Sequence, residues 1–500
     1  MMLSTEFIEQ MIETADRTIQ AAIAAIYEYQ QGKTYIPTYY KYPEVFLKGI
    51  EEHESYKEME TSIPAFKCGI KFLTDSTYQS PANYGGLFSG SDGQFQINCH
   101  SLEGFDDLLR LFKSVPDATK TLVSEEKYID SAIVSLVANI TNRYLYITKK
   151  FKTGDYDSEL TKSLILQRLI CLYGEKLNVN ICVPICFMTF DADETEIAES
   201  ISILKMSQDF QISRYNATHF ESTQESNVVQ CALFMLKISG YYINNNNRNA
   251  VHNAIANYWA YPTEIIDDFF AAIRIAVGCK TGYGQLLIEP IGWAEKWITD
   301  LPTVYGANIR AFNHNEVKTK FFGYSIYNVN NSDLDLIKTL FNTIRQKRMD
   351  SKHNKDFRKV FIAIQRLNRC MLREADDDTA LDAIIGIETL LSGNTQGEIT
   401  YTISNRISVV AAKLECCPYS PQDMRRAMKT IYGFRSDIVH GRDAKKNSMI
   451  AIDGKQVESK ELAVEFLRYS LLFIIGNQEY LEVKEFEAAL DSSLTNNDSE

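Results

Sequence analysis

Arg435 and His440 are the residues of this chain whose types and spacing best suit chemistry at a phosphate. They lie in the segment 432–442, which reads YGFRSDIVHGR. An imidazole transfers protons near neutral pH because its unperturbed pKa lies in that range. A guanidinium is a planar, permanently charged donor for phosphate oxygens, on which negative charge grows as the phosphate reacts. The pair therefore predicts acid–base chemistry at a phosphodiester.

The spacing of this pair sets a geometric condition. On a continuous helix, positions five residues apart point about 140° away from each other, since each residue turns the helix by about 100°. Either the helix begins near Arg435, with a bend after Gly433, or a second chain completes the site. In both cases we expect a monomer to be poorly active.

Neighbouring residues in the same segment are candidates for support. Asp437 precedes His440 by three residues, lies on nearly the same helix face and is expected to orient the imidazole. Ser436 precedes His440 by four residues, and Tyr432 begins the segment. Gly441 is expected to end the helix.

The elements that must position this segment form a helical C-terminal region, residues 331–490. Capping residues at 331–333 precede helical patterns at about 334–348, 355–373, 378–392, 398–415, 421–432, 435–441 and 458–478. Helices joined by short turns are typical of an antiparallel bundle. The polar end 491–500 is expected to be a disordered tail.

The first 330 residues divide into two further regions, since 500 residues are too many for one core. Residues 1–175 are predicted to be mainly helical. Residues 176–330 are predicted to be a strand-rich mixed α/β domain, with a possible sensor or regulatory role. Its strands are expected within 178–190, 200–206, 228–238, 285–291 and 321–329, and its helices at 249–260 and 263–278. The fold class is thus multidomain: an all-α bundle preceded by a strand-rich α/β or α+β domain and a mainly helical N-terminal region.

The charge pattern argues against a nucleic-acid binder that uses its whole surface, because the net charge is −13. A local basic stripe nevertheless runs from Lys338 to Arg373, where the only acidic residues are Asp350 and Asp356. It predicts either phosphate binding or a solvated face that packs against acidic parts of the chain. The basic residues selected as candidate RNA contacts are Arg366, Arg369, Arg425, Arg426, Lys429 and Arg442.

The segment 432–442 resembles the Apea-like group of the HEPN superfamily. The superfamily signature is Arg, four to six residues, then His, and the Apea-like string is Tyr-x-x-Arg-Ser-x-Ile-Val-His-Gly. The upstream segments ALDAIIGIETLLSG (380–393), which contains Glu388, and ISNRISVVAAKL (403–414), which contains Arg406, are similar to that group as well. The resemblance is confined to 331–490. Other HEPN proteins often have Asn, Asp or His where this chain has Ser436, so a proton role at that position is in doubt.

The resemblance implies a metal-independent endoribonuclease of toxin or anti-phage defence type, with no cofactor. Arg435 and His440 would be catalytic, and the ribose 2′-OH would attack to leave a 2′,3′-cyclic phosphate and a 5′-OH. The implied partners are an RNA substrate, for which transfer RNA is one candidate, and a second protomer in a homodimer or higher homo-oligomer. Since an unregulated ribonuclease would poison its own cell, we separately expect residues 1–330 to restrain it until they recognise a phage-derived or other trigger.

Two alternatives stay open. The bundle could be a non-catalytic HEPN domain that binds a nucleotide or a partner, or acts as a scaffold. Glu388 and Arg406 could support the site, or Glu388 could be a buried structural partner of Arg406 or Arg435.

Other signals carry no further site. Cys182 and Cys186 lie in an apolar stretch that favours a strand core over a metal site, and no metal site is predicted. The segment 278–282, GCKTG, lacks the glycine spacing of a phosphate loop. The start of the chain lacks the layout of a signal peptide, and no apolar run approaches the ~20 residues that cross a bilayer. The sequence therefore predicts a cytoplasmic protein with no membrane partner.

Overall fold

The computed structural model describes residues 4–31, 44–46, 71–73, 84–89, 96–114, 122–217, 232–297, 300–313, 327–350, 357–373, 375–393 and 398–497. Its helices are α1 (Thr5–Gln30), α2 (Phe105–Ser114), α3 (Ile129–Thr148), α4 (Ser158–Tyr173), α5 (Gln208–Ala217), α6 (Ala250–Ala256), α7 (Thr263–Val277), α8 (Asn331–Asp350), α9 (Phe357–Leu372), α10 (Asp376–Leu391), α11 (Ile399–Lys413), α12 (Pro421–Val439), α13 (Ser459–Gly476) and α14 (Val483–Asn497). Its strands are β1 (Glu44–Phe46), β2 (Lys71–Leu73), β3 (Phe88–Ser89), β4 (Ile97–Asn98), β5 (Lys176–Cys186), β6 (Met188–Phe190), β7 (Glu194–Ala198), β8 (Ile201–Lys205), β9 (Ala232–Asn244), β10 (Tyr283–Pro290), β11 (Tyr305–Ala311), β12 (Tyr327–Val329), β13 (Met449–Ile452) and β14 (Lys455–Glu458).

The helices α1 to α4 share an apolar core of their own, whose buried residues lie between Met11 and Leu169. A buried polar contact fixes α1 against the start of α4. Asp16, only 8% exposed, accepts hydrogen bonds from the hydroxyls of Tyr156 at 2.6 Å and Ser158 at 2.7 Å. A separate core is consistent with the predicted helical region 1–175.

A six-stranded sheet occupies the middle of the chain, in the order β11-β10-β5-β9-β8-β7. Every neighbouring pair in it is antiparallel. The strand β5 is central and nearly continuously buried, which its run of apolar residues predicts. The expected strands at 178–190, 200–206, 228–238 and 285–291 are confirmed by β5, β6, β8, β9 and β10, except that residues 228–231 lie outside the described part of the chain. The strand expected at 321–329 is observed as β12 at 327–329, and its beginning lies outside the described residues.

The helix α7 joins this sheet to the C-terminal helices. Phe269 and Phe270 of α7 belong to one continuous core that also contains Phe341 of α8 and Phe466 of α13. The fully buried Asp268 of α7 accepts hydrogen bonds from two arginines of α8, at 3.2 Å and 2.8 Å. The boundary predicted at residue 330 is therefore a change of secondary structure within a shared core.

The C-terminal helices pack as a bundle around α13. The helices α9 and α10 lie side by side, α11 lies against α12, and α13 contacts α9, α10, α11 and α12. Most of α13 is buried, in agreement with its nearly continuous apolar sequence. The helical bundle predicted for this region is confirmed at this level.

The bundle differs from the prediction of an all-α domain at one place. The hairpin β13–β14 is inserted between α12 and α13 and is closed by Asp453 and Gly454, which have φ angles of 48° and 69°. Positive φ at both central residues is the geometry that favours Asp-Gly in a two-residue hairpin turn. The Asp453–Gly454 dipeptide between two short alternating segments is a hairpin signal in the sequence itself.

Two helix boundaries also differ from expectation. The patterns at 421–432 and 435–441 were predicted as separate blocks, and they form the single helix α12, which ends at Val439. The expected disordered tail at 491–500 is helical as far as Asn497, because α14 continues through it. Residues 498–500 lie outside the described part of the chain.

Candidate functional site at the end of helix α12

Helix α12 carries Arg435 and has well-defined ends. The Ser420 hydroxyl accepts a hydrogen bond from the backbone N–H of Asp423 at 3.1 Å, and Pro421 occupies the first turn. Its apolar face lies in the bundle core, with buried residues Met424, Ala427, Met428, Ile431, Tyr432 and Phe434. This amphipathic packing leaves the opposite face of its last turns accessible.

The C-terminal end of α12 places His440 as the capping residue. Gly441 follows with a φ of 62°, its N–H donates to the Ile438 carbonyl at 3.1 Å, and the Arg442 N–H donates to the Asp437 carbonyl at 2.8 Å. This pair of bonds is the Schellman arrangement, which a glycine permits at low cost. The predicted helix stop at Gly441 is confirmed.

The side chain of Arg435 is about one-third exposed, at 36%. Its Nη2 lies 3.8 Å from the Oε1 oxygen of Glu388, while its Nε is buried without an acceptor. Among the described residues, none accepts a hydrogen bond from this guanidinium. An accessible arginine with unused donors is suited to binding an oxyanion.

Glu388 extends from the last turn of α10 towards α12. Its Oε1 accepts a hydrogen bond of 2.9 Å from the hydroxyl of Tyr432, which is 8% exposed. Burial, and then the negative charge of Glu388, hold the pKa of Tyr432 well above its ordinary value. Tyr432 is thus a neutral hydrogen-bond donor, and Glu388 faces Arg435 as one of the two partners expected for it.

His440 is exposed, and among the described residues none bonds to its imidazole. Because α12 runs unbroken through Gly433, the option of a bend before Arg435 is excluded. The side chains of Arg435 and His440 leave one helix about 140° apart. Along α12 of a single chain, the two side chains therefore do not converge.

Asp437 has a different partner from the one expected. Its Oδ2 accepts a hydrogen bond from the side-chain amide of Asn447 at 2.8 Å, and within the described residues it makes no bond to His440. A Cβ atom on Gly433 would lie 3.1 Å from that same amide nitrogen. Asn447 therefore fastens the segment before the hairpin to α12, a role that sequence reasoning missed. Ser436 contributes its backbone carbonyl, which accepts from the N–H of His440 at 3.1 Å.

Arg406 has a structural role, and within the described residues it does not bond to the carboxylate of Glu388. It is 3% exposed and donates to the carbonyls of Leu391 and Ser392 at 2.6 and 2.8 Å, and to Glu487 at 2.6 Å. Those carbonyls belong to the end of α10, where helix carbonyls lack partners of their own. Arg406 thus caps the helix that carries Glu388.

Four arginines of the basic stripe are paired with acidic residues. Arg345 and Arg348 bind Asp268, whereas Arg366 and Arg373 bind Asp382 at 2.5 and 2.7 Å. These ion pairs correspond to the alternative in which the stripe packs against acidic parts of the chain. Lys352 and Lys355 lie outside the described residues.

The basic residues nearer the motif have varied surroundings. Arg426 pairs with Asp423 on its own helix, and the guanidinium of Arg425 lies 5.9 Å from the ring centroid of Tyr401. The remaining candidates are exposed: Arg369, Lys429 and Arg442. Because these three residues are widely separated in sequence, each is a candidate phosphate contact by itself and not part of one continuous basic stripe.

The other sequence signals are placed plainly by the structure. Cys182 and Cys186 lie in β5 and are fully buried, and burial raises the pKa of the Cys186 thiol to about 12. Across the described ranges, no cluster of three or more His, Cys, Asp or Glu side chains could hold a metal ion. None of the helices described combines the length and apolar character needed to span a membrane.

No family model matches this chain, and no curated protein or solved structure is significantly similar to it.

Proposed function

We propose that this protein is an endoribonuclease of HEPN type, in which Arg435 and His440 act on one phosphodiester. The observation that carries the proposal is the state of Arg435, an accessible guanidinium whose donors are not used by any described residue. His440 is exposed at the end of the same helix. Both side chains therefore meet the first requirement for binding and cleaving a macromolecular substrate.

The reaction uses the nucleophile that RNA itself carries. A base removes the proton of the ribose 2′-OH, the oxygen attacks the adjacent phosphorus, and the bond to the 5′-oxygen breaks. That oxygen receives a proton, so the products are a 2′,3′-cyclic phosphate and a 5′-OH. His440 serves as the proton-transferring group and Arg435 binds the charged phosphorane oxygens, so the chemistry is complete without a metal or cofactor.

In the proposed homodimer, the side chains of Arg435 and His440 come together across the interface between two protomers. Because Arg435 and His440 of one chain diverge along α12, we propose that His440 of one protomer faces Arg435 of the other. Two large apolar side chains near this end of α12 are exposed in the single chain: Val439, directly before His440, at 56%, and Met449, the first residue of β13, at 46%. Exposed apolar side chains beside the motif are suited to burial in such an interface.

The biological setting is an extension of this chemistry. An unrestrained ribonuclease would poison its own cell, so residues 1–330 are proposed to restrain it until a phage-derived or other trigger binds. Transfer RNA is the first substrate to test, and the cytoplasm is the expected compartment. We therefore propose that the protein acts as a toxin or as an anti-phage effector.

The test is cleavage of labelled transfer RNA and messenger RNA by the full chain. We expect His440→Ala and Arg435→Ala each to lower the rate by at least about hundredfold, because each removes a group that acts in the transition state. The substitutions His252→Ala and Arg248→Ala, at exposed positions outside the proposed site, are matched controls and should retain activity. Circular dichroism checks folding, and analysis of the product ends checks for the cyclic phosphate.

Two outcomes would count against the proposal. Cleavage that persists in folded His440→Ala protein would assign the activity to another site. Binding of RNA or nucleotide without any cleavage by the wild-type chain would favour the non-catalytic HEPN module.

A further inference from the structure

One oxygen of Glu388 serves two residues of α12. Its Oε1 accepts the hydrogen bond from Tyr432 at 2.9 Å and lies 3.8 Å from Nη2 of Arg435. The second distance is within ion-pair range but too long for a hydrogen bond. Glu388 therefore attracts the guanidinium without occupying its donors.

The hydrogen bond from Tyr432 explains why the ion pair stays loose. An arginine and a carboxylate tend to form two parallel hydrogen bonds when both are free to rotate. Here the phenol occupies Oε1 from the buried side, where Tyr432 is only 8% exposed. The carboxylate is consequently held in one orientation, facing Arg435 from the interior of the bundle.

Resting on the proposed ribonuclease function, we infer that Glu388 and Tyr432 are positioning residues for Arg435. Glu388 orients the guanidinium towards the scissile phosphate, and Tyr432 prevents Glu388 from closing into a two-bond pair that would compete with the phosphate. Neither residue touches the substrate.

The surrounding contacts support this assignment. Arg406, the other arginine expected beside Glu388, is committed to the carbonyls of Leu391 and Ser392 and to Glu487. Within the described residues, the acidic group facing Arg435 is Glu388 alone. The Nε of Arg435 is buried without an acceptor, and the carboxylate of Glu388 is the opposite charge within ion-pair range among the described residues.

The chain contains a matched control for this arrangement. Tyr419 donates a hydrogen bond of 2.6 Å to Glu465, so the same tyrosine–glutamate contact occurs elsewhere in the bundle. Tyr419 lies just before Pro421, the first residue of α12. Pro421 is about 21 Å from Arg435 along the helix axis, at ~1.5 Å per residue. Substitutions in this pair remove the same type of bond away from the motif.

The experiment is steady-state cleavage of an RNA substrate by the full chain. For Glu388→Gln we expect kcat to fall about tenfold, because the Arg435 guanidinium loses its orientation in the transition state. KM should stay within about twofold, since removing a negative charge near the bound phosphate does not weaken substrate binding. Tyr432→Phe should raise KM, since the freed carboxylate then competes with the phosphate. Glu465→Gln and Tyr419→Phe should match the wild type in both constants.

Coupling to Arg435 separates positioning from a general structural role. In an Arg435→Lys background, which retains a charge and weaker activity, Glu388→Gln should change kcat by less than about twofold. An equal loss in both backgrounds, or wild-type kcat in Glu388→Gln, would overturn the inference while leaving the nuclease proposal intact. Absence of His440-dependent cleavage in the wild type would overturn both.

Discussion

The side-chain amide of Asn447 donates to Asp437 at 2.8 Å and thereby joins the segment before the β13–β14 hairpin to the last turn of α12. The contact is made possible by Gly433, whose missing side chain leaves the space that this amide approaches. A residue expected to orient His440 is thus used to anchor the chain that follows it.

Replacing this amide tests the anchor. Asn447→Ala should lower the free energy of unfolding by about 1 kcal/mol, because one partly buried hydrogen bond is lost. Urea denaturation monitored by circular dichroism measures the change. The control is Asn246→Ala, which removes an exposed loop amide and should leave the midpoint unchanged. Equal midpoints for the two variants would show that the anchor contributes nothing.

Gly386 tests the close packing of α10 against α13. A Cβ atom there would lie 2.8 Å from both terminal carbons of the buried Leu467 and 3.2 Å from the Cβ of Arg366. Gly386→Ala should therefore destabilise the protein by about 1 kcal/mol, although alanine favours helices.

The matched variant for that substitution is Gly476→Ala, at the end of α13. Its added Cβ meets no atom within 4 Å, so its stability should equal or exceed that of the wild type. Thermal unfolding of the two variants gives the comparison. A more stable Gly386→Ala protein would contradict the close packing.

The N-terminal region contains a pH-dependent contact. The imidazole of His100 lies between two carboxylates, with Nδ1 at 2.6 Å from Asp106 and Nε2 at 3.2 Å from Asp130. The hydrogen bond to Asp106 is the largest cause that raises the pKa of His100 above 6.5, and the charge of Asp130 adds to it. A histidine whose pKa is higher in the folded than in the unfolded state stabilises the folded protein. This stabilisation is fully present below pH 6.5.

This stabilisation should disappear as the pH rises through the elevated pKa. We expect the stability difference between wild type and His100→Asn to be larger at about pH 6 than at about pH 9. Urea denaturation at the two values measures it, and His252→Asn is the exposed control. A difference that grows towards high pH would reverse the assigned direction.

The proposed chemistry predicts the effect of metal removal. If the attacking group is the ribose hydroxyl and the charge is held by Arg435, excess EDTA should leave the cleavage rate within about twofold of the untreated rate. A substrate that lacks the 2′-OH at the cleavage position should resist cleavage. Loss of activity in EDTA that added Mg²⁺ restores would require a different mechanism.

Local signals predicted the parts of the site that depend on neighbours in sequence. Gly441 marked the end of α12 because a left-handed residue is needed there, and periodic apolar residues marked the bundle helices. The Asp453–Gly454 turn was also locally encoded, and it was missed because the surrounding segment was read as part of a helical domain.

Contacts between distant residues could not be predicted in the same way. Gly433 favoured a break in the helix. No residue near it in sequence indicates that the side chain of Asn447 packs against it. Which arginines of the basic stripe form ion pairs could not be predicted, because their partners Asp268 and Asp382 lie in other helices. The choice of Arg435 over Arg406 as the neighbour of Glu388 likewise depends on how α10, α11 and α12 pack.

The shared core of α7, α8 and α13 has a practical consequence for dissecting this protein. A fragment that begins at Asn331 would expose the apolar surface that α7 now covers and would leave Arg345 and Arg348 without Asp268. Such a fragment is expected to aggregate, whatever the quality of its own helices. Any excision that preserves the candidate site must therefore begin before Lys176, so that the whole sheet is retained.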